Sequence, residues 1–353
     1  MIIDNFFNTN PYHLNEKDKK KKINKYINSL TKFHFNNCSQ YKKILNFFNY
    51  NMNKDYKLHQ LPFLPVQLFK EFELSSVKKN KIIKIMRSSG TSSGITSKIF
   101  LDKKNSINQV KALKHIFQFN FGNQRLPMLV LDNKKSLSNP SLFDAKKAAF
   151  YGFSIFGKEY SFILDENNNI DYSKLNNFLK KFGNKKFLIF GFTSSVYQHL
   201  IKQLDKKKIR MNFSKGLLIH GGGWKKLENK KISKKKFNLR LKDKLELTNV
   251  YNYYGLVEQT GSIFFECKCG YFITSNFSDV IIRDVNLEVL PKNKKGFIQL
   301  ISTLSTSYPG HNILTQDIGE VVNSELCNCK INGKRFLVHG RAKKAEVRGC
   351  SDV

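Results

Sequence analysis

Ser88-Ser-Gly-Thr-Ser-Ser-Gly-Ile-Thr-Ser-Lys98 decides how this chain is read, because it sets a hydroxyl- and glycine-rich loop between two strand-forming runs. Five Ser or Thr hydroxyls and two glycines fill Ser88 to Gly94, and a lysine follows at 98. Glycine lets backbone N–H groups approach phosphate oxygens, hydroxyls donate further hydrogen bonds, and lysine adds a point charge. That combination is phosphate-binding chemistry. The spacing excludes a P-loop and a dinucleotide fingerprint: Gly90 and Gly94 are four apart, Lys98 lies four beyond the second glycine, and no G-x-G-x-x-G is present. A flexible Ser/Gly linker is the competing reading. The tight flanks Lys81-Ile-Ile-Lys-Ile-Met86 and Lys98-Ile-Phe-Leu-Asp102, both strand-like, count against it.

Outward from the loop the texture changes three times. Residues 1–80 are Lys/Asn-rich with apolar residues at helical spacing (Ile23, Tyr26, Ile27, Leu30), which predicts a mainly helical N-terminal region. Pro62 and Pro65 interrupt any helix and predict an extended crossing. Over 81–260, strand-like runs at Met128 to Leu131, Phe187 to Phe190, Leu217 to His220 and Thr248 to Tyr254 alternate with helical patterns near 105–120, 172–182, 194–205 and 232–245. Such alternation predicts an α/β core with sheets covered by helices. Over 261–340 the pattern is short strands and turns, at Ser262 to Glu266, Asp279 to Arg283, Glu288 to Leu290, Gly296 to Ser302, Ile318 to Val322 and Arg335 to His339. A β-rich subdomain is expected there, followed by a short tail, 341–353.

Composition narrows the class. In 353 residues, 41% are hydrophobic, 31 are Phe and 25% are charged, so the chain is neither disordered nor fibrous. No apolar run approaches the roughly 18 residues of a membrane span, and the N-terminus lacks the basic and apolar regions of a signal peptide. Six cysteines in a chain of this length do not form a disulfide framework, so a reducing cytoplasm is expected. The net charge of +34 would ordinarily suggest nucleic acid or an anionic membrane surface. Yet only eight of the 61 basic residues are Arg, the residue whose planar fork reads phosphates and base edges. The lysine runs are read as solvated faces, with weak, salt-sensitive affinity for polyanions and no specific nucleic acid.

The loop resembles the signature of the adenylate-forming superfamily of acyl- and aminoacyl-activating enzymes, approximately Ser/Thr-Ser-Gly-Ser/Thr-Thr-Gly-x-x-Lys. Further motifs follow in the family's order. Gly221-Gly-Gly-Trp224 is similar to the segment bordering the adenine pocket, Tyr253-Tyr-Gly-Leu-Val-Glu258 to the Y-G-x-T-E element, Leu314-Thr-Gln-Asp-Ile-Gly319 to T-G-D-x-G, and Gly340-Arg341 to the G-R hinge. A narrower resemblance spans essentially the whole chain. Leu61-Pro-Phe-Leu-Pro-Val-Gln-Leu-Phe-Lys70, His220-Gly-Gly-Gly-Trp-Lys-Lys226, Tyr254-Gly-Leu-Val-Glu-Gln-Thr-Gly-Ser-Ile-Phe264, Ser307-Tyr-Pro-Gly-His-Asn-Ile-Leu-Thr315 and Ala345-Glu-Val-Arg-Gly-Cys-Ser-Asp352 together resemble the acyl-protein synthetase (long-chain-fatty-acid–luciferin-component ligase) family.

The resemblance implies the large domain of an adenylate-forming enzyme, its mobile C-terminal domain truncated, its β-rich subdomain completing the ATP site, and an AMP-forming ligase activity. A carboxylic acid, of the fatty-acid class, is activated with ATP and Mg²⁺ and passed to a protein thiol, then to a reductase or other acceptor partner. It places Ser89, Gly90, Thr91, Ser92, Gly94 and Lys98 on phosphates, Glu258 on Mg²⁺, Gly221, Gly222, Tyr254 and Gly255 at adenine, and Asp317 and Arg341 on ribose. Val257 departs from the superfamily's Thr, so Thr260 or Gln259 is expected to supply the missing donor. With the superfamily's C-terminal lysine absent, Lys98, Lys343 or Lys344 is expected to provide its charge. Cys350 is the candidate nucleophile, since Arg348, Lys343 and Lys344 would favour its thiolate. A buried filler is the plainer role for a lone cysteine. His220 and His311 are read as pocket-wall or turn residues, because the reaction needs no strong base.

Cys267-Lys-Cys269 and Cys327-Asn-Cys329 offer four thiolates, which suit tetrahedral Zn²⁺, although the spacing is tighter than the common C-x₂-C; plain buried or turn cysteines are the alternative. Two other functions compete with acyl-protein synthesis: an acyl- or aryl-coenzyme A ligase, distinguished by a thioester with free coenzyme A, and a non-enzymatic polyanion-binding protein, distinguished by tight nucleic-acid binding and no ATP turnover.

Overall fold

The computed structural model describes residues 6, 7, 9–88, 96–138, 145–323, 325 and 327–342. It opens with α1 (Glu16–Asn37), capped by the Asn15 side chain on the Asp18 N–H, and α2 (Ser39–Phe47). Ile23, Tyr26, Ile27 and Leu30, one stripe at helical spacing, are all buried. The proline-interrupted crossing becomes a two-residue strand, β1 (Leu64–Pro65), before the short α3 (Leu68–Glu71). An antiparallel hairpin, β2 (Ile82–Arg87) and β3 (Lys98–Asp102), then carries the hydroxyl-rich loop at its tip, with Arg87 opposite Lys98. Ser88 N–H donates to the Ser97 carbonyl at 3.2 Å and Ser97 N–H to Ser88 Oγ at 2.9 Å, closing the base of that loop. Ser89, Gly90, Thr91, Ser92 and Gly94 themselves lie outside the described residues.

The α/β core follows. Its elements are α4 (Lys103–Phe121), β4 (Leu126–Val130), α5 (Lys134–Ser138), α6 (Ala145–Ser154), β5 (Gly157–Phe162), α7 (Tyr172–Phe182) and β6 (Phe187–Phe192). Next come α8 (Thr193–Ser195), running through a π turn at Val196–Ile201 into α9 (Lys202–Lys207), then β7 (Gly216–Gly221), α10 (Lys234–Leu245), β8 (Val250–Tyr254) and β9 (Phe264–Phe265). The sheet order is β5-β4-β6-β7-β8-β9, parallel except for β9. Leu188 and Phe190 face a cluster shared with α1 and α4, while Phe187 and Ile189 face one shared with α7, α9 and α10. Covering on both faces explains why β6 reads as an unbroken apolar run.

The last sheet has β10 (Phe272–Ile273), β11 (Ser278–Arg283), β12 (Gly296–Ser302), β13 (Asn312–Val322) and β14 (Arg335–Arg341), ordered β10-β14-β13-β12-β11 and antiparallel. β1 adds in parallel along the start of β13, Leu64 opposite Ile313. Pro65 is tolerated because this is a sheet edge. α1 rests on the same region: Thr31 Oγ1 lies 2.9 Å from His311 Nε2, and His34 Nε2 lies 2.9 Å from the Ser305 carbonyl oxygen.

Three local expectations are corrected. Glu288 to Leu290 is not a strand but a single bridge, Val289 to Arg283. The strand expected from Ile318 begins at Asn312. α6 and β5 are additional elements; β5 is an edge strand with exposed residues at 158–160, so its sequence lacks the alternation that marks a half-buried strand.

Candidate active site

Parallel strands of an open α/β sheet deliver their loops at one edge, and the crevice beyond their carboxyl ends is where ligands bind. Here the ends of β6, β7 and β8 are in register, with Phe192 beside Gly221 and Gly221 beside Tyr253. Thr193, Gly221 to Gly223, and Tyr254-Gly255 therefore leave the sheet side by side. The Thr193 hydroxyl donates to the Gly221 carbonyl at 3.1 Å and lies 2.9 Å from His220 Nδ1. Gly221 has no room for a side chain, since a Cβ would stand 2.6 Å from the Tyr253 ring. Gly222 turns with φ of 75°, which favours glycine. His220 is buried, and that burial pushes its imidazole down to about 3, so it is neutral near pH 7.

The second sheet meets this edge. The Tyr254 hydroxyl donates to Asp317 Oδ2 at 2.6 Å, and Asp317 N–H donates to Thr315 Oγ1 at 3.1 Å. Asp317 stands opposite Arg341 across β13 and β14, beside a bulge at Ile318/Gly319. Burial raises the Asp317 carboxyl above its ordinary range, while the Tyr254 hydroxyl and the Arg341 charge act against that rise. The Tyr254 phenol is driven far up by burial and by the Asp317 carboxylate, so it stays a donor. Tyr254, Asp317 and Arg341, expected at adenine and ribose, are thus brought together.

Glu258 sits in a 3₁₀ turn, Val257–Gln259, and is 6% exposed. Burial raises its carboxyl, opposed by the Ser97 hydroxyl and the charges of Lys70 and Arg341. Among the described residues no ion pair holds it. The base of the hydroxyl-rich loop therefore faces Glu258. Gln259, one of the two residues expected to replace the Thr missing at Val257, is committed elsewhere: its amide donates to the Leu300 and Gly310 carbonyls, each at 3.0 Å, which leaves Thr260 as the other candidate. Lys98, expected on phosphates, pairs with Glu73 Oε1 at 2.9 Å in solvent.

Cys267, Cys269, Cys327 and Cys329 are brought together at a second place, their sulfurs all within 4.8 Å of one another. Cys350, Lys343, Lys344 and Arg348 lie outside the described residues. Sequence reasoning missed Thr315, Lys70 and Glu73 as neighbours of the site. Thr315 and Lys70 carried a signal, standing in the quoted Leu314–Gly319 and Leu61–Lys70 segments, whereas nothing local marks Glu73.

A family model described as acyl-protein synthetase, LuxE, matches residues 1–353. The chain belongs to this family. It is 27% identical over 339 residues to a long-chain-fatty-acid–luciferin-component ligase of Aliivibrio fischeri, covering 91% of this chain and 84% of that protein. Among solved structures it is similar to 2-hydroxyisobutyryl-CoA ligase in the postadenylation state with 2-HIB-AMP: TM-score 0.72, 12% identity, 94% of this chain and 69% of the other. ATP-bound MatB from Rhodopseudomonas palustris follows with a TM-score of 0.50 and 13% identity, covering 75% of this chain and 49% of that one. The fold is that of adenylate-forming ligases. No helix among the described residues is long and apolar enough to cross a membrane.

Proposed function

We propose that this chain joins a carboxylic acid of the long-chain fatty class to AMP and then passes the acyl group to the thiol of Cys350. The observation that carries the reading is the meeting of Tyr254, Asp317 and Arg341 from two sheets beside the buried Glu258 and the base of the Ser88 to Ser97 loop. The chain-length class rests on the name of the Aliivibrio relative.

A carboxylate is a poor acyl donor because oxide is a poor leaving group. In the proposed reaction a carboxylate oxygen attacks the α-phosphorus of ATP and the bond to pyrophosphate breaks, giving an acyl adenylate. The Cys350 thiolate then attacks the acyl carbonyl, and AMP leaves with the electron pair of the carbon–oxygen bond. Tyr254 and the Gly221–Gly222 turn border the base, Asp317 accepts from ribose hydroxyls, and Arg341 adds positive charge. Glu258, buried and without an ion-pair partner among the described residues, fits a hard divalent cation. Bound there, Mg²⁺ would neutralise phosphate charge. The exposed Lys98–Glu73 pair contributes about 0–1 kcal/mol, little enough for a polyphosphate to draw Lys98 onto itself. A protein acceptor, a reductase among the candidates, takes the acyl group from Cys350 in a reducing cytoplasm where that thiol stays free.

ATP–pyrophosphate exchange with a panel of acids from acetate to long-chain and aromatic tests the first half, and Cys350→Ser the second. Exchange that depends on one class of acid, retained in Cys350→Ser while the hydroxylamine-sensitive acyl enzyme disappears, is the expected result. Exchange with no acid would overturn the activation step. Retention of the thioester in Cys350→Ser, or loss of both activities, would overturn the assignment of the acceptor.

A further inference from the structure

The two Cys-x-Cys pairs lie 60 residues apart in sequence and meet where the chain passes between sheets. Cys267 and Cys269 form the turn joining β9 to β10, and Cys327 and Cys329 lie in the connection from β13 to β14. Cys267 Sγ is 3.6 Å from Cys327 Sγ, and Cys269 Sγ is 3.4 Å from Cys329 Sγ. A disulfide needs sulfurs at about 2.05 Å, so neither pair is bonded. Tetrahedral Zn²⁺ with Zn–S bonds of about 2.3 Å puts its sulfurs roughly 3.8 Å apart, close to the spacing within these two pairs, and all four sulfurs lie within 4.8 Å of one another.

Two further features point the same way. The turns match: each second cysteine is followed by a residue in the left-handed region, Gly270 at φ 92° and Lys330 at φ 50°. The Gly270 N–H donates to the Cys267 carbonyl at 2.8 Å, curling that turn around its thiols. Arg335 is close enough to Cys327 for its guanidinium to lower that thiol's pKa, and its Nε is buried with no hydrogen-bond partner among the described residues. An orphaned buried donor is costly, and a metal tetrathiolate, net negative, is the acceptor that would satisfy it.

We propose that Cys267, Cys269, Cys327 and Cys329 bind one structural Zn²⁺ that clasps the β9–β10 turn to the β13–β14 connection. Four thiolates make a closed site with no open position for a reacting ligand, which is the structural form of a zinc centre. The clasp fixes the strands that frame Tyr254: Phe272 of β10 and Phe336 of β14 pack on its ring at 5.9 and 6.1 Å between centroids, and β14 ends at Arg341. Zinc therefore sets the position of Tyr254 and Arg341 without touching a substrate.

Elemental analysis of the full chain purified without chelator, before and after treatment with a thiol-reactive mercurial, tests the site. One zinc per chain, released by the mercurial and absent from the Cys269→Ser/Cys329→Ser double variant, is expected, with a lowered Tm in that variant. Because the variant can fail to fold, Co²⁺ is also titrated into stripped wild-type protein, where thiolate-to-cobalt charge transfer and the strong visible bands of a tetrahedral ion are expected. Zinc well below stoichiometric together with no cobalt bands, stoichiometric iron in place of zinc, or a Cys269–Cys329 disulfide would each overturn the proposal.

Discussion

At Glu258 two requirements oppose each other. Burial lifts the folded carboxyl's pKa above its unfolded value. The stability linked to such a group is fully present below the unfolded pKa and is lost as pH rises through the folded one, so near pH 7 the buried carboxyl works against the empty fold. Glu258→Gln keeps the shape and removes the charge. It is expected to raise Tm at pH 7 while slowing ATP–pyrophosphate exchange roughly 10²-fold or more, the scale at which a single electrostatic group contributes to such a reaction. Scanning calorimetry and the exchange assay on the same preparation check both halves. Intact exchange with a lower Tm would make Glu258 a structural residue. The residue's presence was legible from Tyr253-Tyr-Gly-Leu-Val-Glu258, but its burial and the influence of Ser97 on it were not, because the two lie about 160 residues apart in the chain.

Between elements, the connection from β12 to β13 is pinned by one side chain of α4. Asn105 Oδ1 accepts from the Thr306 N–H at 2.8 Å, the Ser307 N–H at 3.1 Å and the Ser307 hydroxyl at 3.1 Å, all buried. The helix that presents it begins at Asp102, whose side chain caps the Asn105 N–H at 2.7 Å. Asn105→Leu would strand two buried backbone donors, each costing about 1–3 kcal/mol. A loss of roughly 2–6 kcal/mol in urea denaturation is expected, and a change under about 1 kcal/mol would mean that water replaces the amide. The same connection holds Gly310, where a Cβ would stand 2.6 Å from the Glu258 carbonyl, so its looseness would be felt at the site. Elements with strong periodicity or apolar runs, such as α1 and β6, were legible. β5 and β1 were not, since an exposed edge strand and a two-residue strand with a proline acquire their identity only from the partner they pair with.

Across the whole molecule, buried neutral histidines make stability depend on pH. His34 is pushed down to about 3 and His311 well below its ordinary value by burial, their rings stacked at 4.9 Å between α1 and the start of β13; His220 is likewise about 3. Each is depressed in the fold and ordinary, near 6.5, in the unfolded chain. Stability from these groups is therefore present above pH 6.5 and lost as pH falls toward the folded values, by up to about 1.4 kcal/mol per pH unit per histidine. Tm is expected to fall steeply from pH 6.5 to 4.5, and His34→Gln, which removes one proton-uptake site, to flatten that slope. An unchanged slope in the variant would mean that His34 takes up its proton without unfolding.

What the sequence determined by itself is local chemistry: a hydroxyl-rich loop between two strands, aromatic, acidic and basic residues in ordered motifs, and cysteines in two close pairs. Each follows from residue type and short spacing, which torsional preference and side-chain chemistry set without distant partners. Tertiary structure alone decided that Tyr254 donates to Asp317, that Lys98 pairs with Glu73, that Gln259 is spent on two carbonyls, and that two cysteine pairs 60 residues apart meet in one cluster. Those facts depend on which sheet edges meet, and burial of apolar surface over the whole chain makes that choice before any polar group finds its partner.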